Sequence, residues 1–106
     1  MKTIKFREHL VKKVLNGEKT STWRLFDDKN LASGDEVELI NWNTGKSFAE
    51  AVLTEVREKK LGEVFNSNEG HEKYESKEKM YEEFKKYYGD KVNSETVVKI
   101  IKFRLK

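Results

Sequence analysis

Apolar residues along this chain follow two different periods. Leu10, Val11, Val14 and Leu15 recur at helical spacing, with Lys12 and Lys13 on the wet side and Asn16-Gly17 as a stop signal. The opening of the chain therefore reads as a helix. From Thr20 the period shortens. Thr20 to Leu25 is a β-prone run, Asp27 to Asn30 is a polar loop, and Ala32-Ser33-Gly34-Asp35 is a turn. Glu36 to Trp42 alternates apolar and polar side chains, as a half-buried strand does. Asn43-Thr44-Gly45-Lys46 has the composition of a hairpin turn and leads into a second long strand candidate, Ser47 to Arg57.

The second half continues in the same way. Leu61 to Phe65 has room for one or two helical turns, and Asn66 to Glu75 is a polar loop. Ser76 caps a helix running to Tyr88, with Met80, Phe84 and Tyr87 on one face. Glu82-Glu83-Phe84-Lys85-Lys86 reads as its charged, solvated face. In the closing run, Glu95 to Leu105, Ile101, Phe103 and Leu105 face one way, and Lys102, Arg104 and Lys106 the other. Those cations suit phosphate contact, or equally the protection of an edge strand against aggregation. Strands outnumber helices, and the two longest are joined by a tight turn. The expected architecture is α+β: a small, partly closed, barrel-like sheet with two or three peripheral helices.

Composition narrows the chemistry. The 106 residues fit one domain spanning 1–106, with 36% hydrophobic residues for a modest core. Charged residues make up 39% with both signs interspersed, and the net charge of +3 permits a nucleic-acid partner without demanding one. There is no Cys, which removes disulfides, thiol nucleophiles and thiolate zinc sites. The two histidines, His9 and His71, cannot build a multi-histidine metal centre. His71 with Glu69, Glu72 and Glu75 reads as a solvated patch, so neither metal nor cofactor is expected. No apolar run approaches a spanning helix and no signal-like segment opens the chain, so the expectation is a cytoplasmic protein without membrane contact.

One segment concentrates reactive groups. Gly17-Glu18-Lys19-Thr20-Ser21-Thr22-Trp23-Arg24 packs two cations, three hydroxyls and an indole directly after a helix stop. The pattern Gly17-x-Lys19-x-x-Thr22-x-Arg24 resembles the G-x-K-x-x-[E/T]-x-R signature of ASCH domains, which have a PUA-like β-barrel. Gly34-Asp35, Glu69-Gly70-His71, Tyr87-Tyr88-Gly89 and a final Val-Ile-Phe-rich strand follow in the family's order, so the resemblance covers essentially the whole chain. It implies one of two functions: RNA binding or processing, or the hydrolysis of N(4)-acetylcytidine by a small bacterial branch that uses a Lys, a Thr and a Glu. Matched residue by residue, these are Lys19, Thr22 and Glu69, with Glu72 and Glu75 as alternative glutamates. Thr22, where many ASCH sequences carry Glu, favours the amidohydrolase branch.

Amide hydrolysis needs a nucleophile, a base and a proton for the leaving nitrogen. With no Cys and few His, hydroxyl plus Lys is the pair this chain offers. Thr22 would attack the acyl carbonyl and Lys19 would act as base, with Glu69 orienting Lys19 or passing a proton to the cytosine amine. Arg24, Trp23, Ser21 and His71 make up the expected substrate-binding set. The pleat raises an objection: in an ideal strand Thr20, Thr22 and Arg24 share a face, and Lys19 points away. Lys19 must therefore lie in the bend after Gly17, or a bulge must intervene. The expected partner is a small-molecule nucleoside, with RNA as the alternative. The sequence leaves the oligomeric state open.

Overall fold

The computed structural model describes residues 1–65 and 73–106. Its strands are β1 (Lys2–Phe6), β2 (Ser21–Leu25), β3 (Glu36–Asn41), β4 (Ser47–Lys60) and β5 (Val97–Leu105); its helices are α1 (Glu8–Leu15) and α2 (Lys77–Tyr88). A 3₁₀ turn, Leu61–Glu63, stands where one or two helical turns were expected. The strands form a single sheet in the order β1-β3-β4-β5-β2, parallel between β1 and β3 and antiparallel elsewhere. The sheet curls into a half-barrel flanked by the helices, which is the expected α+β, PUA-like form. Among the described residues no helix is long and apolar enough to cross a membrane.

Three expectations need correcting. The expected first helix is α1, but a strand the sequence did not signal precedes it: Ile4 and Phe6 alternate into the core, and β1 runs parallel to β3 from Lys2 opposite Val37 to Phe6 opposite Asn41. Two apolar positions in five residues are too faint a local signal, and the partner that stabilises them lies more than thirty residues away. The second correction concerns β5, which lies between β4 and β2 and is not an edge. Its cations Lys102 and Lys106 pair with Glu55 at 3.5 Å and Glu36 at 2.9 Å. The third concerns helix faces. Leu15 and Tyr87, read as members of apolar stripes, are both exposed, whereas Val14, Met80 and Phe84 are buried.

The alternation along β5 also breaks in the middle, where Ile100 and Ile101 are both buried. A register irregularity in the β4–β5 ladder between Leu53 and Glu55 accompanies this change of phase. One strand thereby serves two cores. Ile101 and Phe103 pack with Ile4, Phe6, Leu39 and Leu53, against which α1 closes through Val14. Val98 and Ile100 pack with Trp23, Leu61, Met80 and Phe84 beneath α2. Helix α2 begins as expected, with the Ser76 hydroxyl accepting from the Lys79 N–H at 3.2 Å.

Curling brings the two edge strands together. Arg24 on β2 donates from Nη2 to the Lys5 carbonyl on β1 at 2.6 Å, and its guanidinium lies 5.2 Å from the Phe6 ring centroid. Beyond β2, Lys29 Nζ donates to the Thr3 carbonyl at 2.7 Å. Side chains therefore span the gap that backbone pairing leaves open. The cleft lies in that gap.

Candidate functional site

Gly17 determines where the reactive segment goes. Its φ of +85° is in the left-handed region that glycine adopts without a Cβ penalty, and the chain turns off α1 there. The Lys19 N–H donates to the Lys13 carbonyl at 3.0 Å, holding the connection against the helix it has just left. Regular pairing starts only at Ser21. Lys19 is thus in the bend and not in the pleat, which removes the objection from strand alternation. Lys19 and Thr22 both line the same cavity, and both residues are only 4% exposed.

That cavity measures about 560 Å³ and lies between β1, β2, the loop after β2 and the C-terminal half of α2. The volume is in the range of small-molecule sites. Thr22 and Arg24 come from one face of β2, while Phe84, Tyr87 and Tyr88 come from α2. The loop after β2 is held by Asp27, whose carboxylate accepts from the Lys29 and Leu31 N–H groups at 3.0 Å each and from Lys99 Nζ at 2.7 Å. Burial pushes the Asp27 carboxyl up, but the Lys99 hydrogen bond, the two backbone donors and the Lys99 charge outweigh it and hold it below its ordinary value. The fold thus builds one wall of the cleft around a buried ion pair.

The other expected site residues are distributed unevenly. Trp23 adjoins the cavity, but its ring belongs to the core under α2, 3% exposed and stacked on Phe84 with centroids 6.1 Å apart. Ser21 is buried and is not among the residues lining the cavity. Glu69 and His71, with the alternative Glu72, lie outside the described residues. The remaining alternative, Glu75, is exposed and off the cavity wall. Among the described residues no three His, Asp or Glu side chains converge as metal ligands would.

Several wall residues were not singled out from the sequence. Glu83 faces the cavity while pairing with Lys86 at 3.3 Å, so the charged face of α2 is also part of the cleft. Trp42 stands at the mouth and is 51% exposed. The Arg7 guanidinium sits 3.8 Å from the Trp42 ring centroid and 5.0 Å from that of Tyr87. Phe26, also at the cavity, has a positive φ of 53° and receives Lys91 Nζ at 4.2 Å from its ring centroid. A lone arginine before a helix carries no local signal of this kind, because its aromatic partners come from distant elements.

No family model matches the chain, and the search of curated proteins finds no match. Solved structures do match. An ASCH domain from Lactobacillus crispatus superposes with a TM-score of 0.66 at 16% identity, over 89% of this chain and 68% of that one. A protein from Enterococcus faecalis, assigned to DUF984, gives 0.74 at 17% identity, covering 92% of this chain and 69% of the other. A Zymomonas mobilis ASCH protein, as its S128A mutant, gives 0.68 at 14% identity, over 96% of this chain and 66% of its own. At these identities the likeness is one of fold alone.

Proposed function

We infer that this chain, which has the fold of ASCH-domain structures, belongs to that family and is an amidohydrolase removing the acyl group from N(4)-acylated cytosine nucleosides such as N(4)-acetylcytidine. One observation carries the reading: the turn at Gly17 puts Lys19 and Thr22, both buried, on the wall of a single nucleoside-sized cavity. A hydroxyl beside a lysine is the composition that a serine- or threonine-type acyl transfer needs in a protein without cysteine.

In this reading Thr22 Oγ bonds to the acyl carbon as Lys19 Nζ takes its proton. The carbonyl electrons move onto oxygen, whose charge needs preorganised donors to stabilise it. Collapse breaks the bond to N(4), and the proton passes to that nitrogen, so that cytidine leaves as the neutral amine. Water then hydrolyses the acyl-threonine ester, again with Lys19 as base, and the carboxylic acid departs. Glu69 orients Lys19 or relays the proton. Arg24, anchored to the Lys5 carbonyl, positions the wall from which Thr22 projects.

The test is an absorbance assay with N(4)-acetylcytidine on wild type and on Lys19→Ala, Thr22→Ala and Glu69→Ala. Loss of the nucleophile or base is expected to lower kcat at least 10²–10³-fold, roughly the scale of general-base and nucleophilic contributions. Undiminished turnover in Thr22→Ala overturns the nucleophile assignment. No turnover by wild type, together with salt-sensitive binding of an RNA hairpin, selects the alternative of an RNA-binding module using the same cleft.

A further inference from the structure

Arg7 occupies an unusual position. It precedes α1, and the backbone on both sides of it is tied to the turn after β3: the Trp42 N–H donates to the Phe6 carbonyl at 2.8 Å, and the Glu8 N–H donates to Asn43 Oδ1 at 2.9 Å. These two bonds fix Arg7 relative to Trp42. The guanidinium then lies between aromatic rings from two other elements, Trp42 at 3.8 Å and Tyr87 of α2 at 5.0 Å. Cation–π contact through the ring faces orders the side chain without consuming its N–H donors. Among the described residues no carboxylate pairs with Arg7 in a salt bridge. All three residues line the mouth of the cavity that holds Lys19 and Thr22.

The charge around that mouth supports the same conclusion. Lys5 and Lys29 line it beside Arg7. Among the described residues, the lining carboxylates are Asp27, paired with Lys99, Glu83, paired with Lys86, and Asp28. A pre-ordered guanidinium with open donors, at the lip of a nucleoside-sized cavity and backed by other cations, suits a phosphate group.

We propose that Arg7, clamped between Trp42 and Tyr87, is a phosphate-binding residue at the mouth of the cleft, and that the preferred ligand is a cytosine nucleotide bearing a phosphate monoester rather than the free nucleoside. This rests on the reading of the cavity as a cytosine-nucleoside site. The base and its N(4) substituent enter toward Thr22, while the phosphate stays at the lip and accepts from the Arg7 guanidinium. The two aromatic rings hold the guanidinium in place, so the anion meets a donor fork that needs little ordering on binding.

The test separates this proposal from the catalytic one. Binding of cytidine 5′-monophosphate and of cytidine, neither of which carries an acyl group, is measured by tryptophan fluorescence or calorimetry. Wild type should bind the nucleotide about tenfold more tightly, the scale of one charged hydrogen-bonded contact. In Arg7→Ala the ratio should fall to near one, in Arg7→Lys it should be intermediate, and in Trp42→Ala, which keeps the cation and removes its platform, it should be reduced. Thermal melts confirm that each variant is folded. Equal affinity of wild type for the two ligands, or an unchanged ratio in folded Arg7→Ala, overturns the proposal even if N(4)-acetylcytidine is hydrolysed. Tighter binding of a cytidine dinucleotide than of the monophosphate also overturns it, because the anion at Arg7 would then be an internal phosphodiester. The expected Arg7-dependent nucleotide preference supports the clamp even if the acyl compound is not turned over.

Discussion

The two tryptophans show how much an individual residue's role depends on what the chain brings to it. Trp23 is on a short strand whose partner and covering helix both come from the last third of the sequence, and it ends up stacked on Phe84 and 3% exposed. Trp42 follows β3 in a turn, receives the Arg7 guanidinium over its ring, and stays 51% exposed. Truncating the first should leave a cavity in the core, and Trp23→Ala is expected to cost about 3–5 kcal/mol. Trp42→Ala loses a surface cation–π contact and should cost no more than about 1 kcal/mol. Urea unfolding of both variants checks the contrast; equal destabilisation would contradict it. Indole alone gives no sequence-level distinction between these positions. Lys19 and Thr22 were identifiable from the motif, but the route by which Lys19 reaches the cavity follows from the positive φ at Gly17.

At the scale of elements, the loop between β2 and β3 looks like an ordinary polar connection in sequence. In the structure it is organised by Asp27, which satisfies two backbone N–H groups and Lys99 at once, with its side chain only 6% exposed. Its carboxyl is held below the ordinary value, so its contribution to stability is complete above the unfolded-state pKa of about 3.9 and is lost as pH falls through the lower, folded-state value. Asp27→Asn should therefore destabilise the protein by about 1.5–3 kcal/mol at pH 7, the range for hydrogen bonds to charged groups. The gap to wild type should close as pH drops below about 4. Denaturant melts from pH 7 to pH 2.5 measure it, and a gap independent of pH would show that the charge is not what stabilises the loop. The start of α2 was legible because caps are local: the Ser76 side chain accepts from the Lys79 N–H, as its chemistry predicts. Strand β1 was not legible, because its stabilising ladder is a parallel one with a partner far along the chain.

At the scale of the whole molecule, the distinguishing feature is a sheet that curls without closing its backbone ladder. Its edges, β1 and β2, are tied by Arg24 on the Lys5 carbonyl and by Lys29 on the Thr3 carbonyl. Because the cleft occupies that seam, these ties bear on both stability and site shape. Arg24→Ala should lower stability by about 1–3 kcal/mol, as expected for loss of a charge-assisted hydrogen bond. It should also speed hydrogen exchange in β1 and β2 selectively, while the central β4–β5 ladder keeps its protection. Uniformly faster exchange across all five strands would mean that Arg24 supports the sheet in general and not the seam. What the sequence determined by itself was local or compositional: the β3–β4 hairpin, the capped α2, the absence of thiol chemistry, and the segment in which Lys19 and Thr22 lie. Each follows from side-chain period, turn chemistry or residue supply, which act between near neighbours. Only the tertiary structure decided that β5 is central, that Glu83 and Trp42 border the cleft, and that Arg7 is clamped at its mouth. Those outcomes depend on sheet order and curl, which are selected by the burial of two cores on opposite faces of one strand and leave no period in the residues they join.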